Sequence, residues 1–294
     1  MASVLDTVSG KLLDRFLERI LGGSALFFVG GFVAYSYSRG GIDLEKTVSD
    51  ASPSVLVTWL IAGLLALGGS AWVVQALTGA VLRLIEGYWP RFMNPLRGAL
   101  ITSKRKRWKT LRDERAELAR RFENLTQDEK RAYAALDSKL AWLPDKKPDL
   151  MPTTLGNILR TSELYAAHRY GMAANLFWPR LWLHLPAETR TELETGRSRL
   201  DAGVAAIIWS CAFAVWTPWA WWAALVAVAG IHLGYRRAVA ASMNFATLVE
   251  ASFDLNHRSL LTALGWPLDE NASVQQLQQV GRTATMFLRR GELS

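Results

Sequence analysis

The sequence is poor in the residues that build catalytic and metal sites. It holds one cysteine, Cys211, and four histidines, His168, His184, His232 and His257. A single thiol excludes a disulfide framework within the chain and every paired-cysteine metal pattern. Lying in an apolar run, Cys211 reads as a small buried hydrophobe. The histidines are scattered, with no HExxH and no pair at metal spacing. There is no GxSxG elbow, no glycine loop for phosphates and no DxDxDG calcium loop. These absences point away from an enzyme, a metal and any cofactor. A hydrolase built on His168 or His184, which flank the WPRL string, is the weakest reading.

The second thing missing is charge, over three long stretches. Residues 20–37, 54–82 and 202–235 contain no Asp, Glu, Lys or Arg, although 20% of the chain is charged and the net charge is +8. Ile20–Tyr37 spans about 27 Å at 1.5 Å per residue, close to a hydrocarbon core. Ser54–Leu82 allows a tilted span plus an interfacial turn, and Arg83 ends it. As one helix, 202–234 is about 50 Å long, too long for a bilayer. Thr217-Pro218 in its middle predicts a hairpin, with Trp216, Trp219, Trp221 and Trp222 at headgroup level around the turn. A cleaved signal peptide fits poorly, because the apolar part starts only at Ile20. Leu5, Val8, Leu12, Phe16 and Ile20 instead recur at helical spacing and predict an amphipathic helix on the inner leaflet.

Orientation follows from the basic residues. The 38–53 loop is slightly acidic, whereas Arg83, Arg91 and Arg97 lead into KRKRWK at Lys104–Lys109. The positive-inside rule puts that side, and both termini, in the cytoplasm. The expected class is thus an all-α integral membrane protein with two transmembrane hairpins, four spans in all, and a helical cytosolic domain. The expected parts are an amphipathic helix over 1–19, a hairpin over 20–86, a cytosolic domain over 87–200, a second hairpin over 201–235 and a cytosolic helical tail over 236–294.

Between the hairpins the chain is polar and helix-forming. Leu111, Leu118 and Phe122 make a narrow apolar stripe, and Thr126-Gln-Asp-Glu129 is a capping box opening the next helix. The two predict a helical hairpin seeking a partner helix. After a loop with Pro144, Pro148 and Pro152, Thr153 or Thr154 caps a helix closed by Gly171, on which Arg160 and Glu163 are spaced to pair. NLFWPRLWLHLP is too short to span and reads as a docking segment. In the tail Pro267 ends one helix and Asn271 or Ser273 starts another.

The strings PTTLGNILRTSELYAAHRYGMAANLFWPRLW (152–182) and FDLNHRSLLTALGWPLDE (253–270) resemble a family of uncharacterised bacterial multi-pass membrane proteins, common in actinobacteria. The likeness covers about 50 residues and the order of hairpin, soluble part, hairpin, tail. It implies a bacterial inner-membrane setting and no particular chemistry. It singles out Leu155, Gly156, Asn157, Arg160, Glu163, Arg169, Tyr170, Gly171, Trp178, Pro179, Arg180 and Leu181. Asn157, Arg160, Glu163, Arg169, Trp178 and Arg180 are its partner or ligand candidates.

Lys104, Arg105, Lys106, Arg107 and Lys109 read as an anchor on anionic lipid headgroups rather than a nucleic-acid patch, since they follow a membrane hairpin closely. Gly23 and Gly30, with Gly22 and Gly31 beside them, share one face of the first span. Ala62, Ala66 and Ser70 form a small-residue ladder on the second. Such faces pack the hairpin internally or build a subunit interface. Gln75 is the one strongly polar side chain deep in a span and needs a partner or water. The absence of ionisable groups near the span centres argues against a proton-coupled or charged-substrate transporter. The expected function is a non-enzymatic, oligomeric channel, pore-type or effector protein controlled by its cytosolic domain. The alternative is a membrane-anchored scaffold recruiting a cytosolic protein through 152–184.

Overall fold

A computed structural model describes residues 22–39, 52–266, 269 and 272–291. All regular structure among them is helical. The elements are α1 (22–38), α2 (Pro53–Glu86), α3 (Asn94–Arg120), α4 (Gln127–Ala141), α5 (Thr154–Tyr170), α6 (Ala174–His184), α7 (Ala187–Phe213), α8 (Trp222–Ala263) and α9 (Val274–Arg290). Short 3-10 turns stand at Arg91–Met93, Phe122–Asn124, Lys147–Asp149 and Ala214–Trp216. The all-α class matches the expectation. The amphipathic helix expected over 1–19, most of the acidic 38–53 loop, Pro267 and Asn271 lie outside the described residues.

Local chemistry explains most boundaries. The Thr126 hydroxyl accepts from the Glu129 amide and the Glu129 carboxylate accepts from the Thr126 amide, so both halves of the capping box are made. Ser273 and Gln276 do the same at α9. Of the two threonines before α5, Thr153 is the cap. Gly171, at φ +72°, closes α5 in the left-handed conformation that a side chain disfavours. The helix before Pro267 stops earlier, at Ala263, with Gly265 also at positive φ.

The chain divides into two compact units. The apolar unit comprises Met1–Leu82 and Asp201–Ala238; the charged unit comprises Arg83–Leu200 and Val239–Ser294. In the apolar unit α1 lies against the end of α7. A Cβ on Gly23 would meet the Trp209 ring, one on Gly30 the Phe213 ring and one on Gly31 the Trp216 ring. Phe27 stacks between Trp209 and Trp216, at 5.7 and 5.6 Å. The 214–221 turn with its tryptophans joins α7 to α8, and the two helices approach closely where Gly203 faces the Ala238 backbone.

Two stretches of the described chain are long and apolar enough to cross a membrane by length and composition, Pro53–Arg120 and Ala187–Trp216. The described part of α1 covers 22–38, and Arg236-Arg237 end the apolar part of α8 after about 21 Å. The boundary expected at 235/236 falls within one helix. α8 runs unbroken through 42 residues, because nothing between Gly234 and Ala263 is Gly or Pro. Cys211, expected to be buried, is exposed on α7, one turn beyond the buried Ile207.

In the charged unit α3 and α4 pack as a helical hairpin. Arg115 bonds Asp137 at 2.6 Å and lies over the Tyr133 ring, which meets Phe122 edge-on. The core gathers α5, α6, α9 and the later part of α8 around Met172, Phe177, Leu181, Leu193, Phe253 and Leu261. α9 clasps the end of α5. Thr285 donates to the Gly171 carbonyl and accepts from the Ala173 amide, and Gln278 donates to the His168 carbonyl. Carbonyls that the end of a helix leaves free are thereby satisfied.

Candidate functional site

The charged unit contains a pocket of about 430 Å³ built from three pieces of chain. The first is α3, whose Pro95 lies in the first turn. Arg97, Ile101 and Arg105 follow at four-residue intervals and so line one face. One turn further, Trp108 is buried. Its Nε1 donates to the Pro144 carbonyl at 3.0 Å, and the Arg112 guanidinium lies 4.6 Å from its ring centroid. This fastens α3 to the 144–150 loop.

The second wall is that loop, with Asp149 toward the pocket. Asn157 holds its shape. The fully buried Asn157 amide donates to the Met151 and Thr153 carbonyls and accepts from the Met151 amide. The third wall is Arg160, which reaches Glu163 at 3.1 Å and Asp149 at 3.5 Å. Tyr88 completes the lining.

Its electrostatics are positive: three guanidiniums face one carboxylate. The Arg97 Nε is buried and has no hydrogen-bond partner among the described residues. Burial works against the Arg160 charge, but the bonds to Glu163 and Asp149 outweigh it and hold the group above its ordinary value. Next to the pocket, Lys104 donates to the Thr154 hydroxyl at 3.3 Å. Burial, then the neighbouring Arg107, lower the pKa of Lys104. Burial raises that of the Tyr88 phenol, followed by the charges of Glu163 and Glu86, so the group stays a neutral donor at physiological pH.

A second cluster lies between α5 and α8. Asp254 accepts from the Tyr165 hydroxyl at 2.9 and 3.0 Å and from the Tyr170 hydroxyl. His257 stacks on Tyr170, with centroids 4.2 Å apart, and its Nδ1 faces the Phe253 and Asp254 carbonyls. Arg169 lies over both phenol rings. Burial and the bond to Asp254 push Tyr165 up to about 12, and the same causes push Tyr170 further. Burial, then repulsion from Asp254, raise Glu250, one turn before. No group of three His, Cys, Asp or Glu side chains among the described residues is arranged to hold a metal.

The six partner candidates fall in separate places. Asn157 is internal and shapes the loop. Arg160 and Glu163 pair at the pocket. Arg169 covers the tyrosines, Trp178 packs with Trp182 and Phe253, and Arg180 donates to the Leu176 carbonyl. Of the five basic residues expected on headgroups, Arg105 enters the pocket wall and Lys104 is tied to Thr154, while Lys106, Arg107 and Lys109 are exposed.

Gln75, Ala62 and Ala66 are exposed on α2, and the Ser70 hydroxyl bonds back to the Leu67 carbonyl. Gly23 and Gly30 face aromatic rings of the same chain. His168 and His184 have different partners, Asp145 at 3.9 Å and Ser259 at 3.0 Å.

Sequence reasoning missed Arg97, Tyr88 and Asp149 as a site, and gave no role to Asp254 or His257, although both lie in the 253–270 string. The four-residue spacing of Arg97, Ile101 and Arg105 was a readable signal. The meeting of Tyr165 with Asp254, 89 residues away, had none. No family model, curated protein or solved structure matches the chain.

Proposed function

We propose that this chain is a non-enzymatic, multi-pass protein of a bacterial inner membrane that carries a helical recognition unit on the cytoplasmic side. The proposed topology has four spans, with α1 and the start of α8 joining the two longer apolar stretches. The observation that carries this reading is the division of chemistry between the units. α2 leaves Leu60, Leu64, Leu65 and Trp72 between half and three-quarters exposed, a pattern at home in lipid and a liability in water. The ionisable networks and the pocket described above belong to the charged unit. The likeness of 152–182 and 253–270 to actinobacterial multi-pass proteins supports the setting. In this reading the unit around α5 and α6 is a scaffold that recruits a cytosolic partner.

Topology is tested with single cysteines in a Cys211→Ala background. A cysteine at Ser103 should react with a membrane-impermeant maleimide in inverted vesicles and not in intact spheroplasts. The reverse labelling, or a chain that stays in solution without detergent, would sink the reading.

One observation favours a second reading, an oligomeric pore. Gly63, Gly68 and Gly69 of α2 would meet no atom of the chain if given a Cβ, and Gln75 is exposed on the same helix. That surface is open to a second copy. Ion flux through proteoliposomes, lost on Gln75→Leu, would move the assignment to the pore.

A further inference from the structure

We propose that the pocket between α3, the 147–151 loop and Arg160 is a phosphate-binding site, and that a phospholipid headgroup supplies the phosphate. The first part rests on the lining. Arg97, Arg105 and Arg160 converge there with the Tyr88 phenol and a single opposing carboxylate, Asp149, whose charge Arg160 already takes up. Guanidiniums are the side chains best matched to phosphate oxygens, which they bind through paired N–H bonds. The Arg97 guanidinium is the decisive group. Its Nε is buried and has no hydrogen-bond partner among the described residues, and an unanswered buried donor is costly. The residue lines the pocket, so a phosphate bound there would engage its guanidinium.

The second part rests on what lies beside the pocket. Phe92, Leu96 and Leu100 also recur at four-residue intervals, and all three are exposed, Phe92 at 81%. Leu96 immediately precedes Arg97 and Leu100 immediately precedes Ile101, while Phe92 stands in the 3-10 turn just before α3. One residue is 100° of helix turn, so Leu96 and Leu100 form an apolar ridge, a stripe beside the pocket wall. An amphiphile with an anionic head and apolar tails fits that pair of stripes: phosphate among the arginines, acyl chains along Phe92, Leu96 and Leu100. A soluble phosphate would leave the ridge bare in water. This differs from a diffuse basic anchor, because Lys106, Arg107 and Lys109 take no part and Arg97 and Arg160 do. The lipid source rests on the membrane reading above; the phosphate site does not.

The test uses the full chain in maltoside micelles, which carry neither charge nor phosphate. Phosphatidylglycerol is titrated in and binding is read as the rise of the thermal unfolding midpoint. The expected result is a saturable rise with phosphatidylglycerol and none with diacylglycerol of the same chains. Arg97→Gln should weaken binding roughly tenfold or more, the loss expected for one charge-assisted hydrogen bond. Arg97→Lys, which keeps the charge but not the fork, should fall between. Arg131→Gln, on a side chain 82% exposed in α4, should change nothing. Equal affinity in Arg97→Gln and wild type, or equal weakening by Arg131→Gln, would overturn the site. An equal midpoint rise with inorganic phosphate would keep the phosphate site and overturn the lipid source. Should the chain prove soluble without detergent, the phosphate arm run in plain buffer still reads the pocket, so loss of the membrane reading and loss of the site are separate results.

Discussion

α2 and α5 are both regular helices, yet they use their residues in opposite ways. α2 buries Ala71, Val74, Thr78 and Leu82 among its 34 residues, all in its second half. α5 buries seven of its 17, including a glycine, an asparagine and a serine. A helix that is apolar all round needs no particular neighbour, because lipid solvates it as well as protein does. A helix that buries polar atoms must have each one answered, so its surroundings are specific. That is why α5 makes close backbone approaches at Gly156 and Gly171 and anchors a side-chain network, while α2 offers a smooth apolar surface with one amide on it.

Substitutions can break or sharpen this contrast, read by circular dichroism melts of the full chain in maltoside. The largest effect is expected at Gly156, where a Cβ would run into the Glu86 carbonyl. Gly156→Val should cost about 3 kcal/mol or prevent folding, since backbone cannot step aside. Asn157→Ala, which removes three bonds to the 151–153 loop, should cost about 2–3 kcal/mol and weaken any ligand of the pocket that loop walls. Asp254→Asn takes the charged acceptor from two phenols and should cost about 1–2 kcal/mol. Tyr165 should then titrate closer to its ordinary value of 10, which ultraviolet titration reads directly. An unmoved titration would mean that burial alone sets it.

Glu250→Gln should act with the opposite sign. Burial raises its folded-state pKa above 4.5, so the folded chain holds this proton more tightly than the unfolded chain. Native stability therefore falls as pH rises from 4.5 through the folded value. The amide should raise the midpoint at neutral pH, and the gain should vanish below pH 4.5. A gain that persists in acid would mean the effect is not ionic. The smallest effect belongs to α2, where Gly63→Ala should leave stability unchanged or raise it by no more than about 1 kcal/mol, the ordinary helix gain. A large loss there would mean that a second copy covers this face.

Much of this was legible in advance. The capping box at Thr126, a helix start at Asn271 or Ser273, the Gly171 stop and the Arg160–Glu163 pair involve residues at most a few turns apart, and their chemistry needs no fold to be read. The apolar stretches in α2 and α7 are likewise visible as missing charge. The length of α8 was harder, because two arginines that stop an apolar run do not stop a helix. Cys211 continues the stripe of Val204 and Ile207 yet is exposed, so an apolar neighbourhood in sequence does not by itself fix burial. Asn157 is the instructive case: a position singled out for recognition is sealed in the interior, binding its own loop.

The sequence by itself determined that the described chain is helical, where three of its helices are capped, and that apolar and charged stretches alternate along it. Those are properties of neighbours in the chain, governed by hydrogen bonds and spacing within a turn or two. Tertiary structure alone decided that Arg97 shares a pocket with Arg160, and that Asp254 ties down two tyrosines more than 80 residues away. Such meetings depend on which faces pack. Packing is chosen by the burial of Phe177, Leu181, Phe253 and their neighbours as a set, a sum over many contacts that no short string of residues contains.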